Sequence, residues 1–167
     1  VVTGVQTCAL PIYAESVRVA GDEMNEAIQR YVRDEFKMLI GENVAEKIKI
    51  KIGAVIPFKE AKTMRVAGKD MVDGRPKTIT INDGQVRESI KEPVNAILMA
   101  VRKALEKTPP ELVTDVANNG LLLAGGGALL RGLDRLISKD SEIHVLVDDD
   151  PLTTVLRGTG SALVNEK

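Results

Sequence analysis

The chain has 167 residues, with 23 Lys and Arg against 24 Asp and Glu, a net charge of −1 and 44% hydrophobic residues, the balance of one globular domain or a domain with a small second lobe. Near-neutral charge with two Phe, two Tyr and no Trp excludes a dedicated nucleic-acid binder, which needs a basic footprint and aromatic stacking platforms. No apolar run reaches the roughly 18–20 residues that span a bilayer, and the longest, residues 121–130, is interrupted by three glycines.

In chain order, residues 1–13 (VVTGVQTCALPIY) come first and carry no charge, although 28% of the whole chain is charged; the shift marks a boundary. They do not read as a secretory signal, because no Lys or Arg precedes the apolar part and Pro11 interrupts it. Cys8 is the only cysteine, so no intrachain disulfide or thiolate metal site is available, and a reducing, cytoplasmic setting is expected.

After a strand end at residues 17–21, Met24, Ala27, Ile28, Tyr31 and Val32 form one helical stripe, with Asp22 as N-cap and Gly41 as stop. Residues 42–53 fit two patterns. Lys47-Ile48-Lys49-Ile50-Lys51-Ile52 alternates like a half-buried strand, whereas Val44, Ala45, Ile48 and Ile52 make a helical stripe; Gly53, a C-terminal stop, tilts the reading to helix. Residues 64–67 and 77–81 read as strands flanking the Asp73-Gly74 turn. Asn82 or Asp83 caps a helix with Val86 and Ile90 on its apolar face, and Pro93 forces a break or a new first turn. Val94, Ile97, Leu98, Val101 and Leu105 continue the stripe, and Thr108-Pro109-Pro110 starts a short helix through Val116.

The last third reads β–loop–α–β–α, an α/β layout with a right-handed crossover. Residues 120–124 form a short apolar run of the kind expected for a strand buried on both faces, and residues 128–137 a helix. Residues 143–147 form a second strand, and Asp148-Asp149-Asp150-Pro151 opens a terminal helix.

Gly125-Gly126-Gly127 is the most informative feature, because it joins that strand to a helix start, where bare backbone N–H groups can meet a flat or phosphorylated ligand. A tight turn needing positive φ angles would use the same residues. The pattern is neither a P-loop nor a dinucleotide fingerprint. Gly158-Thr159-Gly160 inside the last helical pattern points to close backbone packing. His144 is the only histidine and reads as a solvent-side strand residue, and Asp148, Asp149 and Asp150 as ordinary helix-start acids. No nucleophile or metal-ligand motif is present, so no catalytic residue is assigned.

Five segments, in order, resemble one family. They are Arg18-Val19-Ala20-Gly21-Asp22-Glu23-Met24-Asn25-Glu26-Ala27-Ile28, Ile40-Gly41-Glu42-Asn43-Val44-Ala45-Glu46-Lys47-Ile48-Lys49, Lys107-Thr108-Pro109-Pro110-Glu111-Leu112, Leu123-Ala124-Gly125-Gly126-Gly127-Ala128-Leu129-Leu130-Arg131-Gly132-Leu133 and Asp150-Pro151-Leu152-Thr153. From about Ser16 onward the chain is similar to the C-terminal half of the MreB/Mbl family, the bacterial actin-like rod-shape-determining proteins.

The resemblance implies an α/β fold, the RNase H-like second domain of an actin-like ATPase. Residues 14–20 and 89–167 would form its core, and residues 21–88 an inserted α+β outer lobe. It implies ATP as ligand, bound in a cleft between two domains, with the adenosine motif on Gly125, Gly126, Gly127, Ala128 and Leu129. The family's helical Glu-x-x-Lys element falls on Glu46, Lys47, Ile48 and Lys49, where Glu46 and Lys49 share a helix face. Implied partners are further copies of the protein in protofilaments, the cell-elongation machinery and the membrane, and no nucleic acid. The filaments would be cytoplasmic and membrane-associated. Mg²⁺ would accompany ATP, with its contacts in the other half.

One departure stands out. Ahead of Arg18 the family carries an Asp-x-Gly-Gly-Gly-Thr-Thr phosphate loop, whereas residues 1–13 have no Asp and only Gly4, so they read as foreign sequence. The chain alone is therefore expected to be inactive. The other readings are a kinase or chaperone ATPase fragment of the same superfamily, and a non-catalytic α/β interaction module.

Overall fold

The computed structural model describes residues 15–16 and 21–153. The expectations for residues 1–13 and 17–20, the helix beyond residue 153 and the Gly158-Thr159-Gly160 packing lie outside the described residues. The rest divides into two compact units. The first holds residues 21–97 and 130–132, and the second holds residues 15–16, 98–129 and 133–153.

In the first unit, α1 (Gly21–Phe36) presents Met24, Ile28 and Val32 to the core. Asp22 lies in its first turn, where an acid complements the helix dipole, and not at the cap. The helix stops five residues before the expected Gly41. Lys37 takes a left-handed φ of 51°, and β1 (Met38–Leu39) pairs antiparallel with Asp70 and Lys69, which buries Met38 completely. Non-local pairing overrides the helical stripe there.

α2 (Glu42–Ile52) resolves the ambiguous segment as helix. Ala45, Ile48 and Ile52 face inward, Val44 and Ala45 N–H bond the Gly41 carbonyl, and Gly53 N–H closes on Lys49 O at 2.9 Å. β2 (Thr63–Asp70) and β3 (Pro76–Asn82) form the hairpin, longer than its apolar alternation. Their register places Met64 opposite Ile81 and Val66 opposite Ile79, and Gly74, at φ 73°, makes the turn. Asn82 caps α3 (Asp83–Ser89) in a reciprocal box with Gln85. α4 (Lys91–Glu106) restarts after Ile90, with Pro93 inside its first turn, and is divided between the units after Ile97. Residues 130–132 join the first unit, where Ala54 bridges Arg131 in parallel and Val55 N–H bonds Arg131 O at 3.0 Å.

The second unit contains the rest of α4, α5 (Pro110–Asn119), β4 (Leu121–Leu123), α6 (Leu133–Ser141) and β5 (Val145–Val147). α5 begins on Pro110 as expected and runs three residues past Val116. β4 and β5 pair in parallel, Leu121 with Val145 through Leu123 with Val147. Burial of β4 on both faces is not observed, because Leu122 is 57% exposed and among the described residues the sheet has two strands. The helix expected at residues 128–137 is also corrected: a 3-10 turn covers Gly126–Leu129, and α6 begins only at Leu133, after Gly132 at φ 81°. The pairing of Arg131 with Ala54 and Val55 takes residues 130–132 out of any continuous helix.

Candidate functional site

The glycine turn is built from the strand ladder outward. Leu121 N–H bonds His144 O at 2.8 Å and Asp148 N–H bonds Leu123 O at 3.3 Å, so β4 delivers the chain to Ala124 beside the end of β5. Gly125 then takes φ 82°, a conformation that strains any residue with a Cβ. Its N–H donates to Pro151 O at 2.6 Å, and Ala128 N–H closes back on Gly125 O at 3.1 Å. Ala128 is the buried anchor. Gly126 and Gly127 are exposed. A Cβ on Gly127 would meet nothing within 4 Å, and one on Gly126 only Leu152 Cδ2 at 3.7 Å. Leu129 and Leu152 present exposed apolar side chains at 58% and 63%. The turn is thus a bare backbone surface with apolar side chains beside it, suited to the face of a flat ring. Its geometry is a 3-10 turn and no α-helix N-terminus, so helix-dipole attraction for an anion is not its chemistry.

Within the first unit, α2 separates the four residues of the Glu-x-x-Lys element. Ile48 is fully buried, so its side chain belongs to the core. Glu46 and Lys47 are exposed. Lys49 lies half-buried on the Glu46 face, and its Nζ donates to Gly21 O at 2.9 Å. Sequence reading missed that Gly21 is the partner of Lys49, and that the Pro151 carbonyl holds the glycine turn. Both partners are backbone groups with no side-chain signal.

Other chemistry is sparse. No group of three or more His, Cys, Asp or Glu among the described residues is arranged to hold a metal ion. His144 is exposed just before β5 and borders a shallow, open depression with Asp134, Arg135, Ser138 and Lys139 that contains none of the expected site residues. No helix among the described residues is long and apolar enough to cross a membrane.

The fold matches solved structures of actin-like proteins. It is similar to MreB5 of Spiroplasma citri bound to ADP, with a TM-score of 0.89 and 31% identity over 93% of this chain and 47% of that one. A MamK double helical filament subunit shares the fold at a TM-score of 0.76 and 20% identity, covering 92% of this chain and 47% of that one. The architecture is therefore the actin-like α/β fold.

The family model described as MreB/Mbl protein matches residues 5–167, and its match begins inside the uncharged segment of residues 1–13. The cell shape-determining protein MreB of Escherichia coli (strain K12) is 46% identical over 152 residues, which are 91% of this chain and 44% of that protein. Mbl of Bacillus subtilis (strain 168) is 42% identical over 154 residues, 92% of this chain and 46% of that protein. The chain belongs to the MreB/Mbl family. It spans less than half the length of the curated relatives it matches.

Proposed function

We propose that this chain is part of an ATP-binding, filament-forming protein that determines cell shape, and that it supplies contacts to the adenosine of the nucleotide. The observation that carries the reading is the Gly126-Gly127 backbone, open to approach and flanked by Leu129 and Leu152. Structures of the similar MreB5 are described as bound to ADP and to AMPPNP, which supports a nucleotide as the ligand. In this proposal the turn at Gly125, Gly126, Gly127, Ala128 and Leu129 takes one side of the adenosine. Glu46 offers an exposed carboxylate to a ribose or base donor, with Lys49 beside it on α2. In this proposal Mg²⁺ and the γ-phosphate are held by residues outside this chain.

Self-association into protofilaments is proposed from the filament-forming MamK neighbour together with the MreB relatives. Association of those filaments with the membrane and the elongation machinery, in the cytoplasm, is part of the same proposal, and the likeness to the cell shape-determining relatives supports it. A titration of the ¹⁵N-labelled 167-residue chain with millimolar ATP tests the nucleotide reading. Shifts confined to the amides of residues 125–129 and 46–49 are expected. Shifts elsewhere only, or none, would remove the chain from the nucleotide site.

A further inference from the structure

We propose that the hollow between α6 and the start of β5 is a binding site for a phosphate monoester group, held by Arg135, Lys139, His144 and the Ser138 hydroxyl. The hollow lies within the second unit, is open to solvent and has a volume of about 370 Å³.

The backbone fixes its two walls. On α6, Arg135 and Lys139 are four residues apart and share one face, and Asp134 and Ser138 make the neighbouring row. Glu142, at a left-handed φ of 57°, turns the chain out of α6, and Ile143 N–H meets the Ser141 hydroxyl at 3.3 Å. His144 is then pinned from β4. Its carbonyl accepts from Leu121 N–H at 2.8 Å, and Gly120 passes so near that a Cβ there would lie 2.6 Å from the same oxygen. The imidazole therefore starts from a fixed point of the backbone beside the helix.

The basic groups of the hollow stand unpaired. Elsewhere in this unit Arg102 is paired with Asp140 and Lys103 with Glu15. Among the described residues Arg135, Lys139 and His144 form no ion pair, although Asp134 borders the same hollow. Asp140, next to Lys139 in sequence, is already taken by Arg102. The helix dipole accounts for Asp134 in the first turn of α6 and Lys139 in the last. It does not account for Arg135, a cation in the first turn, where the dipole repels it. Ser141 returns its hydroxyl to the Ile137 carbonyl at 2.8 Å, whereas among the described residues the Ser138 hydroxyl has no such bond. Arg135, Lys139 and His144 are all exposed, so their donors are open to a ligand.

Donors that arrive from a helix and from a strand start suit an anion with oxygens on several sides. One guanidinium fork satisfies a planar carboxylate. A phosphate monoester has three terminal oxygens and about −1.5 to −2 charge at pH 7, so it can accept from guanidinium, ammonium, imidazole and hydroxyl together. The hollow is at the small end of the range for ligand clefts, about 300–1,000 Å³. It admits the phosphate and leaves the rest of the ester in solvent.

His144 is the only histidine of the chain, so its ring-proton NMR signals report the site directly. The test titrates the 167-residue chain at neutral pH with inorganic phosphate, methyl phosphate and a capped phosphoserine tripeptide, with sodium chloride holding the ionic strength constant. Saturable shifts of the ring signals at millimolar phosphate are expected. Arg135→Gln and Lys139→Gln should each weaken binding threefold or more. Asp134→Asn, which removes the one opposing charge, should tighten it at least twofold. These side chains lie outside the apolar core, so the variants keep the fold in which the site is read. A response that never saturates, unchanged affinity in Arg135→Gln, or weaker binding in Asp134→Asn would each overturn the proposal. Binding of the tripeptide as tight as that of inorganic phosphate assigns the group to a phosphorylated side chain. Binding of methyl phosphate with the tripeptide refused assigns it to a free ester, and both results sustain the site. No probe carries adenosine, so the result is independent of the glycine turn.

Discussion

The Arg102 guanidinium grips the Asp140 carboxylate with two parallel hydrogen bonds, Nε to Oδ2 at 2.7 Å and Nη2 to Oδ1, and joins α4 to α6 in the second unit. The fork-to-fork geometry is the strong form of an ion pair. The Asp140 side chain is largely covered, at 15% exposure, while Arg102 stays open to solvent. The guanidinium holds the Asp140 carboxyl below its ordinary range, chiefly through these hydrogen bonds. In the first unit Lys77 Nζ does the same to Asp70 at 2.8 Å, and also donates to the Phe36 carbonyl that ends α1.

These two carboxylates predict how stability depends on pH. A carboxyl depressed in the native state binds fewer protons there than in the unfolded chain, so stability rises with pH across the interval between the two values. The contribution is complete above the unfolded Asp value of about 4 and is lost as the pH falls through the depressed native value. Acid unfolding followed by circular dichroism is expected to show this loss. Asp140→Asn and Arg102→Met should each move the midpoint to higher pH, and the double variant should move it no further. Additive shifts would mean that the two side chains act separately.

Gly126→Val separates ligand contact from folding. The Cβ enters open space 3.7 Å from Leu152 Cδ2, so stability should change by no more than about 0.5 kcal/mol. A branched side chain on the surface proposed for adenosine should nevertheless weaken ATP at least tenfold, about 1.4 kcal/mol. Gly125→Ala reverses the emphasis. Its φ of 82° makes alanine cost about 1–2 kcal/mol of stability whatever the ligand does. Urea unfolding and an ATP titration on both variants check the contrast. Full ATP affinity in a folded Gly126→Val would take the turn out of the site.

How much of this was legible in the sequence depended on the range of the deciding interaction. The α1 stripe, the Asp73-Gly74 hairpin and the Asn82 cap rest on neighbours within a few residues, and the structure has them. The segment at 42–53 was open on periodicity because two periods fit it, and Gly53 correctly favoured helix. The misses came from distant pairings. Met38 leaves the helical stripe because Asp70 is its strand partner, and the turn after Gly125 is 3-10 because Arg131 pairs with Ala54. No local pattern encodes either. The triple glycine was legible as an exposed backbone surface, and its attachment to Pro151 O was not.

The Asn82 cap should carry a measurable share of the first unit's stability. Its Oδ1 accepts from Gln85 N–H at 2.9 Å, and Gln85 Oε1 accepts from Asn82 N–H at 3.0 Å. Asn82→Ala removes the first bond and should cost about 1 kcal/mol, whereas Asn82→Asp keeps an acceptor and should stay within a few tenths. Thermal melts of the two variants distinguish a cap from a generic surface residue. Equal losses would mean that the side-chain amide matters for something other than its oxygen.

Two close approaches of the chain to itself make opposite predictions about rescue. A Cβ on Gly132 would lie 2.5 Å from Ile56 Cγ1 and 2.9 Å from Cδ1, at a left-handed φ of 81°. A Cβ on Gly68 would lie 2.4 Å from the Leu39 carbonyl oxygen. Both alanine variants should lose about 1–3 kcal/mol through overpacking, with about 1–2 kcal/mol of backbone strain added at 132. The difference lies in what can yield. Ile56→Ala deletes the atoms that obstruct Gly132→Ala, so the double variant should be more stable than the sum of the two losses requires, with only the φ strain left over. Nothing comparable can be done at Gly68, where the obstruction is backbone in the β1–β2 pairing. Leu39→Ala should leave the cost of Gly68→Ala unchanged, because the obstructing oxygen survives the truncation. Urea unfolding of the two double-mutant cycles reads both outcomes. Relief at 68 by Leu39→Ala would mean that β1 is free to move away from β2, contrary to the register of Met38 with Asp70 and Leu39 with Lys69.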